Sequence, residues 1–167
     1  MTNPTAPVAT RRDPELAGQT VVVMGGSAGI GLETARRAVA EGADVILTGR
    51  DKDRLDQAAA EVGARRAAAF DVTDFDRLAE FFKGLPAPVD HVLVTGPGPY
   101  YAPLAELDRE RAHRDFDAHM WLHVAVAQQA VGRVRPGGTL LFMGGTAGRS
   151  RGPACRSSRR LPPRCPP

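Results

Sequence analysis

The sequence predicts an α/β fold built on a doubly wound parallel sheet, and three observations carry that prediction. From Thr20 onward, short apolar runs alternate with longer stretches of helical period, the pattern of parallel strands joined by right-handed crossovers. The runs are continuous in Val, Ile and Leu, as in strands covered on both faces. The first run leads straight into a glycine-rich turn and then a helix.

The elements follow in order. Thr20–Met24 is the first strand, and Gly29–Glu41 the helix after the turn. Asp44–Thr48 is the second strand; Asp51 suits the N-cap of a helix over Lys52–Val62, because its carboxylate can accept from an otherwise unpaired backbone N–H. Arg66–Phe70 is the third strand, with Thr73 as N-cap of a helix over Asp74–Lys83. His91–Val94 is the fourth strand, and Arg109–Val134 a long helix. In that helix Phe116, Met120, Val124, Ala127 and Val131 recur at spacings of one helical face, which marks core or a subunit contact. Pro136-Gly137-Gly138 is expected to end the helix and turn the chain into a fifth strand, Thr139–Met143.

The 167 residues amount to one domain, and 43% hydrophobic with 25% charged is a globular composition. Neither a membrane-length apolar run nor a secretion pattern is present, so a cytoplasmic location without membrane attachment is expected. The net charge of +3 hints at nucleic acid, but its distribution removes that reading. Residues 151–167 hold five arginines and no acid, leaving 17 basic against 19 acidic side chains in the first 150. The same segment holds both cysteines, Cys155 and Cys165, and five of the 14 prolines. The chain therefore divides into a flexible arm over 1–19, a folded domain over 20–150 and an unstructured Arg/Pro/Cys tail over 151–167. With 20 Arg against two Lys in the chain, the tail reads as out-of-frame translation of an arginine-rich coding sequence.

The run Val21-Val22-Val23-Met24-Gly25-Gly26-Ser27-Ala28-Gly29-Ile30-Gly31 carries the chemistry. Glycines allow positive φ in a tight turn and let a pyrophosphate reach helix N-terminal amides without meeting a side chain. The spacing Gly25-x-x-x-Gly29-x-Gly31 resembles the short-chain dehydrogenase/reductase family. Asp71-Val72 is similar to the family's adenine-contacting pair; Val92-Leu93-Val94-Thr95-Gly96-Pro97-Gly98 stands where the family has a strand leading into Asn-Asn-Ala-Gly; Gly138–Met143 resembles the strand ending at its catalytic serine. The resemblance implies a Rossmann-like fold cut short after the fifth strand, with Gly25, Ser27, Gly29, Ile30, Gly31, Arg50, Asp71, Val72, Gly96 and Gly98 around the cofactor.

Gly49 stands where the family's ribose-binding acid would be, and Arg50 follows it. A guanidinium matches a 2′-phosphate, so NADP(H) is the expected cofactor, by about ten- to a hundredfold over NAD(H). The catalytic residues that the resemblance implies are a Tyr, a Lys four residues on, a Ser and an Asn. No Tyr-x-x-x-Lys occurs: the only tyrosines are Tyr100 and Tyr101, with Leu104 and Ala105 four residues beyond, and the tyrosines are placed at the substrate pocket or in loop packing. His119 falls at the Asn position and Gly145, beside Thr146, at the Ser position, so His119 and Thr146 are the catalytic remnants. His119 and His123 are four apart, yet no Glu or Cys completes a metal site, and none is expected.

Function is therefore expected to be that of an NADP-dependent oxidoreductase on a carbonyl or alcohol, truncated and weak or inactive. The alternative is a non-catalytic dinucleotide-binding module or sensor. A methyltransferase would also use a glycine-rich turn but would have no use for Arg50. The family implies a homo-oligomer, while the strands and helices that supply its dimer contact and substrate loop are not in this sequence, leaving the fifth strand with an open edge.

Overall fold

The computed structural model describes residues 15–86, 88–96 and 100–144. Five strands form one parallel sheet: β1 (Thr20–Met24), β2 (Asp44–Gly49), β3 (Arg66–Ala69), β4 (Val89–Val94) and β5 (Val134–Phe142), in the order β3-β2-β1-β4-β5. Four α-helices connect them: α1 (Gly29–Ala40), α2 (Lys52–Val62), α3 (Phe75–Lys83) and α4 (Arg109–Ala130). The Rossmann-like architecture expected from the sequence is present.

Alternation along the strands builds two cores. Val21 and Val23 face α1 and α2, meeting Ala35, Ala38, Leu55, Ala58 and Val62. Val22 and Met24 face α3 and α4, meeting Leu78, Phe81, Phe82, Leu122 and Val126. Each large side chain buried this way stabilises by roughly 1.5–3 kcal/mol relative to exposure. Because both faces of β1 are covered, its sequence cannot alternate, and that is why the run TVVVM is readable as a central strand. The strand order reverses at β1, with β2 on one side and β4 on the other. Beyond the carboxyl ends of these strands lies the crevice in which such sheets hold ligands.

Several expectations are corrected. Residues 15–18, assigned to the arm, form a turn in which Leu16 N–H donates to Glu41 O (3.0 Å). Thr73 is not the cap of α3: Asp74 is, accepting from Arg77 N–H at 3.1 Å, because Thr73 is engaged with Asp71. The long helix stops at Ala130 rather than Val134, where Val131 turns extended and Gly132 takes φ +72°. Its apolar stripe is not core. Leu122, Val126 and Ala130 are buried instead, while Phe116, Met120, Val124 and Val131 are exposed.

Pro136-Gly137-Gly138 does not end the helix but lies within β5. Val89 pairs with Val134 and His91 with Thr139, so β4 advances two residues while β5 advances five, and the excess is a bulge. Proline suits a bulge because it has no ladder N–H to lose. Gly137 has φ +82°, and a Cβ on Gly138 would collide with the Asp90 carbonyl. Asp90, buried, holds the bulge by an ion pair with Arg135 and anchors β1 by accepting from Thr20 N–H at 2.6 Å.

Candidate functional site

The glycine-rich turn follows β1 as the spacing requires. Gly25 has φ +88°, and a Cβ there would strike the Thr95 hydroxyl. A Cβ on Gly31 would come within 3.0 Å of the Gly25 carbonyl oxygen, so α1 begins pressed against the turn. Gly26 packs against Leu47, whose Cδ2 would lie 2.6 Å from an added Cβ. Two hydrogen bonds fix the turn from the next strand: Gly25 N–H and Gly26 N–H both donate to Thr48 O, each at 3.0 Å. Thr95, at the end of β4, ties down the other side by donating its hydroxyl to Met24 O (2.9 Å).

The start of α1 differs from every other α-helix described. Asp51, Asp74 and Asp108 cap α2, α3 and α4, and each of those helices has an acid in its first turn. α1 begins after Ala28 with no side-chain cap and no acid. Its first amides therefore keep their positive partial charge for an external anion.

A cavity of about 310 Å³ lies beyond the strand ends. Met24, Gly25, Ser27, Gly49, Arg50, Asp71, Val72, Thr73, Gly96, Asp115 and His119 are on its wall. Of the residues singled out in the sequence, Gly25, Ser27, Arg50, Asp71, Val72, Gly96 and His119 are thus brought together. Gly29, Ile30 and Gly31 stand at the start of α1, where Ile30 is exposed. Gly98 and Thr146 lie outside the described residues.

Electrostatics in the cavity are set by Arg50 and Asp71. Asp71 accepts from Thr73 N–H (2.9 Å) and from the Thr73 hydroxyl (2.8 Å). The Thr73 N–H holds the Asp71 carboxyl below its ordinary range; partial burial opposes this, and the Thr73 hydroxyl and the charge of Arg50 reinforce it. Arg50 is exposed and follows the buried Gly49. A Cβ at Gly49 would sit 3.3 Å from Ser27 Oγ and 3.3 Å from Leu55 Cδ1, so the position has little room for a side chain.

On the opposite wall, His119 Nδ1 donates to Asp115 O at 3.2 Å, which in the neutral ring leaves Nε2 as the acceptor. His119 and His123 stand edge to face with centroids 6.4 Å apart. Among the described residues no group of three His, Cys, Asp or Glu converges as metal ligands would. Tyr100 packs under Arg111, which lies over its ring at 4.4 Å, its hydroxyl accepts from Asp108 N–H at 3.3 Å, and it also borders a cavity with Asp115 and His119. Sequence reading does not assign Thr73, Thr95 or Asp115 to the site. Thr95 was legible in retrospect, as the residue opposite a glycine that can carry no Cβ.

A membrane-crossing helix is absent among the described residues. Comparison with known proteins agrees with the fold. A crystal structure of BdcA in complex with NADPH superposes with a TM-score of 0.72 at 28% identity, covering 80% of this chain and 55% of that one. An oxidoreductase of Sarocladium schorii, asL5, is 29% identical over 83% of this chain and 58% of its own. A 1-deoxy-11-beta-hydroxypentalenate dehydrogenase of Streptomyces exfoliatus is 34% identical over 70% of this chain and 46% of its own. The chain thus spans about half the length of these relatives. The short chain dehydrogenase model matches residues 19–156, and with the sheet order, the glycine turn and the crevice at β1 in agreement, the chain belongs to the short chain dehydrogenase family.

Proposed function

We propose that this chain binds NADP(H) in the crevice at the end of β1, as a dinucleotide-binding oxidoreductase unit for hydride transfer between a nicotinamide and a carbonyl or alcohol. The observation that carries the choice of cofactor is Arg50 on the cavity wall, beside a Gly49 that carries no acid and has little room for a side chain. The pyrophosphate is assigned to the uncapped start of α1 at Gly29, Ile30 and Gly31, the 2′-phosphate to Arg50 and Ser27, and the adenine to Asp71 and Val72. The glycine cradle fits such a ligand: a Cβ at Gly25 would strike the Thr95 hydroxyl and one at Gly31 the Gly25 carbonyl, so only glycine at both lets the turn and the start of α1 approach this closely. The NADPH complex of a 28% identical neighbour supports this reading.

When bound, the nicotinamide supplies or takes the hydride. The residues of this chain bind and orient it, and His119 presents Nε2 as a proton acceptor at the cavity wall. A tyrosine in water titrates near 10, so the family's chemistry needs a lysine beside it. The 167 residues contain no Tyr-x-x-x-Lys, so this chain is proposed to bind NADPH far better than it turns over substrate. That same absence favours the second reading, a non-catalytic dinucleotide-binding module.

Titration of NADPH and NADH fluorescence against the wild type and Arg50→Ala tests the cofactor assignment. Loss of one charge-assisted contact weakens NADPH by about ten- to a hundredfold and leaves NADH nearly unchanged. Equal losses for both would defeat it. NADPH oxidation over a panel of aldehydes and ketones then separates the readings, with binding and no oxidation selecting the module.

A further inference from the structure

The stripe that α4 turns toward the sheet changes character along its length. Leu122, Val126 and Ala130 are buried in the core. One and two turns earlier the same stripe holds His119, Ala118 and Asp115, and these are on the wall of the cavity beyond the strand ends. The other acids of this helix and its cap are engaged. Asp108 caps it, Glu110 pairs with Arg114 at 3.8 Å, and Asp117 lies 3.6 Å from His113 Nδ1. Asp115 is the exception: it is half-buried, and among the described residues its carboxylate meets neither a hydrogen-bond donor nor a cation. A carboxylate on the inward stripe of a helix is costly unless a donor meets it.

The cavity wall carries a second carboxylate with capacity to spare. Asp71 accepts both donors of Thr73 at Oδ1, and among the described residues Oδ2 is open. Ionised carboxylates accept and cannot donate, so two of them on one wall select a group that has two donors and no acceptor. A bound metal ion would need a third protein ligand, and among the described residues none converges.

We propose that Asp115 reads the base of the dinucleotide, accepting one hydrogen of the adenine 6-amino group while Asp71 accepts the other. The inference rests on the NADP(H) reading above, which gives the adenine to Asp71 and Val72. An aromatic exocyclic amine fits the pair because it presents two N–H donors in one plane, and its own lone pair is drawn into the ring. A base with a carbonyl at that position would instead set an oxygen lone pair against two negative charges. The role of Asp115 is therefore discrimination, achieved by repelling the wrong base as well as by holding the right one. Tight binding is not its contribution, since its charge also faces the phosphates of an anionic ligand.

Fluorescence titration of the full 167-residue chain tests this with two ligands, NADPH and its reduced hypoxanthine analogue, in which a carbonyl replaces the 6-amino group. The wild type is compared with Asp115→Asn and Asp115→Ala, and an unchanged circular dichroism spectrum reports that each variant folds. The wild type is expected to bind NADPH at least tenfold more tightly than the analogue, the size of one charge-assisted hydrogen bond. In Asp115→Ala the ratio of the two dissociation constants falls by roughly tenfold. It falls in Asp115→Asn as well, because the amide can turn its N–H groups toward the carbonyl. A residue that only shapes the cavity would move both constants together and leave their ratio unchanged. A wild type that binds the two ligands equally, or a ratio that neither substitution moves, would overturn the proposal while the cofactor reading stands. A wild type that binds neither ligand would overturn both.

Discussion

Gly31→Ala is the sharpest probe of the candidate site, because the damage expected at the turn and the damage expected to the fold differ in size. The new Cβ would lie within 3.0 Å of Gly25 O, 3.0 Å from the Gly25 carbonyl carbon and 3.3 Å from Gly26 Cα. All three are backbone atoms and cannot rotate away. Carbon atoms settle at ~3.5–4.0 Å, so the start of α1 must retreat on the order of 1 Å from the turn. Overpacking costs about 1–3 kcal/mol, but alanine gains about 0.8–1 kcal/mol over glycine in a helix, so net destabilisation is about 0–2 kcal/mol. Ligand binding has no such offset. In the proposed site the amides of α1 and the turn point at one pyrophosphate, and loss of one charge-assisted hydrogen bond costs roughly 1.5–3 kcal/mol, a ten- to hundredfold weaker NADPH. Urea denaturation and NADPH titration on the same samples measure the two effects. Gly29→Ala leaves the packing of the turn intact, since nothing lies within 4 Å of its Cβ, but φ is +55°, so it loses about 1–2 kcal/mol of stability to strain. If Gly31→Ala binds NADPH as the wild type does, the turn does not hold the cofactor as described.

Three further substitutions test the framework. Thr48 is fully buried and its hydroxyl has no partner among the described residues, so Thr48→Val should stabilise by about 1–2 kcal/mol, read as a higher urea midpoint; a lower midpoint would refute this. Among the described residues, Arg135→Ala leaves buried Asp90 with only the Thr20 N–H, and because Arg135 is itself partly exposed the expected loss is roughly 1–3 kcal/mol rather than that of a fully buried pair. His123 is pushed below its ordinary value of 6.5 by burial and then by the charge of His119. The unfolded chain therefore takes up the proton first, and stability present above pH 6.5 falls as pH drops toward the folded value. His123→Gln should flatten that acid limb of a stability-versus-pH curve.

The parallel sheet was legible because its central strands are buried on both faces, and a fully buried strand cannot hide its composition. The turn was legible because Gly25 and Gly31 answer to backbone contacts a few residues away. Legibility failed where distant chain decides. Both Thr73 and Asp74 are good caps, and only the side chain of Asp71, which engages Thr73, assigns the role to Asp74. Pro136-Gly137-Gly138 looks like a terminator, and it is the buried Asp90 on a neighbouring strand that turns it into a bulge. In α4, two apolar faces compete. The more regular one is exposed, because the sheet and α3 select Leu122, Val126 and Ala130 by shape, which helical period does not encode.

The carbonyl of Thr48 receives both amides of the glycine turn, and the chain reaches Arg50 two residues later. On the proposed assignment, the part of the cavity that would meet the pyrophosphate and the part that would tell one dinucleotide from another are therefore a single mechanical piece. A shift of β2 would alter affinity and selectivity in the same stroke. On the proposed assignment, cofactor preference is retuned independently only by exchanging side chains on a backbone that stays still, with the Gly49–Arg50 pair as the dial and the strand beneath it as the fixed mount.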